Sequence, residues 1–291
     1  MSASVARCSE PVPRHLPEVE TVRRGLVPKL VGRRIVRLIQ RRRDLRMPLP
    51  TKFAQRVEGR SVRAIDRRAK YLLLRLDDGN TLIAHLGMSG RMTLHDARSA
   101  AEHPLERHDH VVFDMDDGWQ VRFNDARRFG LMLLVPTAGV DSHKAFKGLG
   151  PEPLDEAFDG AALAARLEGR HTPIKAALLD QKTLVGVGNI YACEALYMSG
   201  ISPRRSAHTV QGDRAGRLAT AIKQVLLRSI DDGGSTLRDH VQPGGELGYF
   251  QTRFKVYDRA GAPCPTADCG HLVKRLVQSG RSTFYCARCQ R

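Results

Sequence analysis

The densest chemistry in the chain is four cysteines gathered in its last 28 residues. They run Cys264-x4-Cys269, then sixteen residues, then Cys286-x2-Cys289. Two cysteine pairs on two knuckles supply the four thiolates that a tetrahedral zinc ion takes, and such a site is coordinatively closed. The expected cofactor is one structural Zn2+, with an iron–sulfur cluster as the minor alternative. A closed ion folds its ribbon rather than doing chemistry. Between the pairs, Leu272, Val273, Leu276 and Val277 flank Lys274 and Arg275, which reads as a β-hairpin. Arg275 and Arg281 then present charge on a small rigid hairpin, suited to a DNA groove or a phosphate. Cys8 and Cys193 are singletons. A disulfide framework suits a small secreted protein, whereas this chain is long and its first residues lack an apolar signal segment, so a metal site in a reducing cytoplasm fits better.

The elements that must carry such a site fall into blocks. Residues 1–13 read as a polar leader, expected to be disordered. In LPEVETVRRGL, Pro17 suits a first helical turn, and Glu18 and Glu20 suit its positive end. Val19, Val22 and Leu26 recur at helical spacing. From Arg33 to about Val135 the sequence reads as short strands, among them Ile35–Ile39, Val62–Ile65, Tyr71–Leu76, Thr81–His85, Val111–Met115 and Val121–Phe123. Asp77-Asp78-Gly79 and Asp116-Asp117-Gly118 are hairpin-type turns between them. Regularly spaced strands of this kind imply an antiparallel sandwich or barrel. After Gly148-Leu149-Gly150-Pro151 the period becomes helical, over Ala161–Leu167, Ile174–Leu179, Ile190–Met198 and Ala215–Ile230. Asp231-Asp232-Gly233-Gly234 stops the last helix.

Bulk composition narrows the partners. The chain has 291 residues, enough for about two domains and an appendage. Hydrophobic residues make up 42%, so real cores form, while the 5% aromatic content predicts that aromatic packing will not dominate. Lys and Arg total 47 against 31 Asp and Glu, a net charge of +16. That excess gathers polyanions, and nucleic acid is the expected partner. A solvated basic surface without a partner, and an anionic membrane, are the weaker options. No window approaches the 18 uninterrupted apolar residues of a spanning helix.

Taken in order, LPEVETVRRGL, RRAKYLLL, HLGMSGR, RHDHV, DARRFG, LGPEPL, VGVGNIYACEAL, GGSTLRD and GRSTFYCARCQ resemble the formamidopyrimidine-DNA glycosylases of the Fpg/Nei family. The resemblance runs from about Leu16 to Arg291. It implies an α+β multidomain protein: an N-terminal β-sandwich over 14–140, a helix–two-turn–helix domain over 150–240 and a zinc ribbon over 254–291. It implies base-excision repair by a monomeric, cytoplasmic glycosylase and AP lyase. The substrate would be double-stranded DNA with an oxidised purine, such as 8-oxoguanine or a formamidopyrimidine, or an abasic site, cut by β,δ-elimination. Flipping the base is required because its target atoms are unreachable in a stacked duplex.

Position by position, the resemblance makes Lys70 the basic residue of the elimination step and Arg281 the ribbon arginine that grips phosphate and assists δ-elimination. Met88, Arg127 and Phe129 fill the hole left by the flipped base; a thioether, a planar cation and a ring can stack where a base stood. His108 and Arg170 contact DNA. Asn189 holds phosphate from the glycine-rich turn, and Lys175 lies near the damaged nucleotide. Taken singly, Lys70 reads as a strand-end surface lysine, Met88 and Phe129 as core residues, and Arg127 as a surface arginine. The stretch 234–251 resembles a lesion-contacting loop.

One position departs from the family pattern. The family's nucleophile is an N-terminal proline followed by Glu. An α-amino group titrates at about 8 against about 10.4 for Lys, so more of it is unprotonated at neutral pH. Counted back from LPEVE, the corresponding residues here are Arg14 and His15. Three readings stand. The natural N-terminus differs from this sequence, although no other start codon restores Pro-Glu. The protein is a paralogue that binds damaged or abasic DNA and is impaired in cutting it. Or another amine serves, Lys70 or a Pro13 freed by cleavage after Val12, with His15 as a base. A zinc-ribbon RNA-binding or translation accessory protein explains the charge and the cysteines but not LPEVET, HLGMSG or DARRFG.

Overall fold

A computed structural model describes residues 15–96, 103–235 and 242–291. The leader at 1–13, together with Arg14, lies outside the described residues, as does part of the 234–251 loop.

Helix α1 (Leu16–Leu30) leads into two four-stranded antiparallel sheets. One has the order β1 (Ile35–Gln40), β6 (Asp109–Met115), β7 (Trp119–Asn124), β5 (Arg91–Asp96); the other has β2 (Val62–Arg68), β3 (Tyr71–Leu76), β4 (Asn80–His85), β8 (Leu131–Pro136). Short helix α2 (Phe53–Val57) packs on β1. The two DDG turns close the β3–β4 and β6–β7 hairpins, with Gly79 and Gly118 at φ +77° and +85°. Alternating positions such as Leu72, Leu74, Leu76, Val111, Phe113, Val121 and Phe123 face inward with Val19, Val22 and Leu26 of α1 into one core. The sandwich expected from strand spacing is therefore present, with α1 laid along β2.

The second lobe is helical: α3 (Gly160–Leu167), α4 (Ile174–Leu179), α5 (Asn189–Met198) and α6 (Asp213–Asp231) share a separate core. These helices fall within two residues of their sequence expectations. Asp159 caps α3 by accepting from the Ala162 N–H, and α6 buries one stripe, Leu218, Ile222, Val225 and Leu226. The ribbon hairpin β9 (Lys274–Gln278) and β10 (Arg281–Tyr285) joins this core through Val273 and Phe284. Composition points away from aromatic packing, yet five aromatics are concentrated here. Tyr191, Phe250, Phe254, Tyr257 and Phe284 form a ladder with successive centroids 5.7, 5.6, 5.3 and 5.1 Å apart. Most of these pairs are edge-on, a favoured geometry, so a small aromatic complement fixes the ribbon on the helical lobe.

The lobes meet along α1. The Leu16 N–H donates to Gly186 O at 3.0 Å, and α1 also packs on α6. A strap from the far side returns to the sandwich: Leu94 N–H donates to Pro243 O at 2.8 Å, and a Cβ at Gly25 would lie 2.8 Å from the Pro243 ring.

Candidate functional site

Lys70 stands at the β2–β3 turn. Ala69 takes φ +52°, a left-handed conformation uncommon for a residue with a Cβ. Glu152, from LGPEPL, holds that turn in place. Its carboxylate accepts from the Ala69 N–H at 2.5 Å, from Arg67 at 2.6 Å and from Arg68 at 2.8 Å. Charge-assisted bonds of this kind are the strong ones, so the interlobe linker fixes the backbone that presents Lys70. The side chain is half-buried and lines a cleft of about 500 Å³ with Arg46, Tyr71, His85, Met88, Phe129 and Gln181.

Two loops set the other wall. Asp125, fully buried, accepts from Ser89 Oγ at 2.6 Å and from the Gly130 N–H at 2.8 Å. Ser89 Oγ accepts in turn from the Arg127 N–H at 3.2 Å. Gly87 has φ +65°, and a Cβ there would overlap the Phe129 backbone, so only glycine allows the loops to touch. Met88, Arg127 and Phe129 thereby converge. The Arg127 guanidinium lies 4.8 Å over the Phe129 ring, and that ring is 42% exposed. An exposed cation–aromatic pair beside a thioether is a stacking surface for a flat group.

The third wall comes from α1 and the helical lobe. His15 precedes α1, and Glu18 reaches back to accept from its N–H at 3.0 Å. The other Glu18 oxygen accepts from Tyr191 Oη and, at 3.3 Å, from the Ser235 N–H. The His15 ring lies on Gly188, where any Cβ would overlap it, and edge-on to Tyr191. It is buried, and among the described residues neither ring nitrogen has a hydrogen-bond partner. Burial, with lesser contributions from Lys70 and Arg281, pushes its pKa down to about 3, so the imidazole is neutral at physiological pH. His85 is likewise lowered to about 4, first by burial and then by Lys70. Its Nδ1 accepts from the Gly87 N–H at 2.9 Å. Burial, then the Arg281 charge, holds the Lys70 ammonium below the ordinary lysine range.

Arg281 is placed by two residues that the resemblance assigned to DNA. Lys175 Nζ donates to Ser282 O at 3.0 Å and to Thr283 Oγ1 at 2.6 Å. Asn189 Nδ2 donates to the same Ser282 carbonyl at 2.9 Å. Lys175 has no exposed surface, its ammonium turned onto β10. A buried ammonium needs compensating acceptors, and β10 supplies them. Asn189 is also buried, although among the described residues its Oδ1 is without a partner. His108 is half-buried, its carbonyl accepting from the Asp125 N–H at 3.0 Å. Arg170 pairs with Asp180 at 2.9 Å. Neither lines the cleft, so the structure brings together Lys70, Met88, Phe129, Arg127 and Arg281 with the unforeseen His85, Tyr71 and Arg46. His85 opens HLGMSGR, and nothing in its spacing marks it as more than a strand end.

The four cysteine sulfurs lie within 4.8 Å of one another. Cys264–Cys289, Cys269–Cys286 and Cys269–Cys289 are 3.7, 3.6 and 3.4 Å apart. Sulfurs about 2.3 Å from a tetrahedral zinc stand about 3.8 Å apart, so the set fits the ion.

Three family models match the chain: the formamidopyrimidine-DNA glycosylase N-terminal domain over residues 14–132, its helix–two-turn–helix domain over 149–241, and the zinc finger found in FPG and IleRS over 261–291. A relative from Dinoroseobacter shibae named formamidopyrimidine-DNA glycosylase is 56% identical over 281 residues, covering 95% of this chain and 99% of its own. The crystal structure of the MutM (FPG) protein of Thermus thermophilus is 39% identical, with TM-score 0.80 and coverage of 95% and 98%. The Lactococcus lactis Fpg in complex with abasic-site DNA is 32% identical, with TM-score 0.83 and coverage of 95% and 99%.

Proposed function

The chain belongs to the formamidopyrimidine-DNA glycosylase family, and from that premise we propose that it is a base-excision repair enzyme acting on damaged duplex DNA. It removes oxidised purines and cuts the strand at the resulting abasic site. The observation that carries this reading is the cleft. Lys70, Met88 and Phe129 line one hollow, Arg127 lies over the exposed Phe129 ring, and the ribbon's Arg281 lies close enough to act electrostatically on Lys70. Met88, Arg127 and Phe129 take the place of the extruded nucleotide in the duplex stack, and Arg281 holds the phosphate. Lys70 works at the elimination step. His108 and Arg170 contact the backbone outside the cleft. Asn189 and Lys175 act by bracing β10 under Arg281. Zinc supplies no step; bound by Cys264, Cys269, Cys286 and Cys289, it keeps the hairpin folded. The protein acts as a monomer in the bacterial cytoplasm, with lobes at 14–140 and 150–240 and a ribbon at 254–291.

Nothing in the cleft favours the binding-only alternative, since its amine and its stacking residues are all present. The test is strand incision. The full chain should cut duplexes bearing 8-oxoguanine or an abasic site and leave an undamaged duplex whole. Tight, selective binding to the abasic duplex with no incision would overturn the enzymatic reading.

A further inference from the structure

We propose that Tyr197 is a positioning residue for the zinc site: its hydroxyl, carried on α5 of the helical lobe, bonds the Cys264 thiolate and sets how tightly the ribbon keeps its ion. This tie depends on the four-cysteine site alone and not on which step the cleft performs.

Tyr197 stands one residue before the end of α5, and its ring packs against the cysteine cluster. Its Oη lies 3.5 Å from Cys264 Sγ and 2.6 Å from Thr266 Oγ1. Thr266 belongs to the four-residue span between Cys264 and Cys269. A metal-bound thiolate carries no proton, so its sulfur can only accept, and a phenol has one proton to give. The Tyr197 hydroxyl therefore donates to Cys264, and the Thr266 hydroxyl donates to the Tyr197 oxygen. The relay runs from Thr266 through Tyr197 to Cys264, and each aligned bond strengthens the next.

Four thiolates outweigh one Zn2+ and leave the group anionic. A hydrogen-bond donor to sulfur spreads that charge, and groups that bond a metal's ligands orient them and raise affinity. The same end of α5 also holds the second knuckle. Gly200 O accepts from the Arg291 N–H at 3.0 Å, and Ile201 O accepts from Gln290 Nε2 at 2.9 Å. Gln290 Oε1 accepts in turn from the Cys286 N–H at 2.9 Å. At the opposite end of α5, Asn189 donates to Ser282 O, beside Arg281. One helix thus runs from the metal knuckles to the strand that carries Arg281, and Tyr197 is its contact with a ligand sulfur.

The experiment compares Tyr197→Phe with the parent, both as the full zinc-loaded chain. Phenylalanine keeps the ring against the cysteines and removes the hydroxyl alone. Transfer of zinc to a chromogenic chelator should be about tenfold faster, or more, in the variant. Co2+ in place of zinc reports the sulfur directly. Without its O–H donor Cys264 is more electron-rich, so the thiolate-to-cobalt charge-transfer band should move to longer wavelength. Thr266→Val, which removes the hydroxyl that donates to Tyr197, should move both readouts the same way by a smaller amount. A tyrosine that only packs would loosen the ribbon without moving the band. Equal zinc transfer from the two chains overturns the proposal, and so does faster transfer with the cobalt band unmoved. If Tyr197→Phe holds no metal, Thr266→Val decides: faster release with a shifted band upholds the tie, and any other result overturns it.

Discussion

At the scale of the residue, the cleft concentrates groups that are costly to charge. His15 titrates at about 3 when folded and at 6.5 when unfolded. The unfolded chain therefore binds a proton that the folded chain refuses, and stability falls as pH drops through 6.5 and continues to fall toward 3. One pKa unit is worth about 1.4 kcal/mol, so going from pH 7 to pH 4 costs on the order of 3 kcal/mol through His15. His15→Gln should flatten that slope in urea denaturation at the two pH values; an unchanged slope would place the acid sensitivity in other groups. Arg127 belongs to this scale too. Because its guanidinium lies on an exposed ring rather than on a carboxylate, Arg127→Ala should weaken binding to lesion duplex by about tenfold and to intact duplex much less, read by titration at fixed salt. Equal losses would make Arg127 a plain phosphate contact.

At the scale of the element, the joints of the molecule are buried carboxylates that collect donors. Glu152 ties the linker to the β2–β3 turn, Glu18 ties α1 to α5 and Ser235, and Asp125 ties two loops together. Glu194 does the same for the ribbon linker, accepting from the N–H groups of Lys255, Val256 and Tyr257. Removing a buried charge partner strands several donors at once. Glu152→Ala should lose about 3 kcal/mol or more in chemical denaturation and lower incision by releasing the Lys70 turn. A stable variant with full activity would contradict that coupling. These joints also show what the sequence conceals. Strands, helices and the thiolate cluster were legible because period two, period 3.6 and cysteine spacing are local signals. Glu152 and Lys70 are 82 residues apart in the chain, and no window shows that one anchors the other. Lys175 is hidden for the same reason: no window shows that it packs against a β10 residue 107 positions away. The nine motifs locate the site, but which side chains face DNA and which face protein is a tertiary fact.

At the scale of the whole molecule, the zinc ribbon is a structural premise of the cleft rather than an appendage. The Arg281 charge acts on Lys70 and His15 from a β10 held by Lys175, Asn189 and the aromatic ladder. Cys286→Ser should release zinc and loosen the hairpin. Incision should then drop sharply while the two lobes keep a cooperative transition, followed by metal analysis and calorimetry. Full zinc content in that variant would refute the four-cysteine site. The strap that crosses back from the helical lobe has a different sort of consequence. Strand β5 is the outer member of its sheet, and its Leu94 N–H is occupied by Pro243 O rather than left bare. An uncovered strand edge is a template for a second chain. Lifting Pro243 away would bare that edge and make the molecule self-adhesive, so clumping below the melting temperature would trace to one carbonyl resting on one strand.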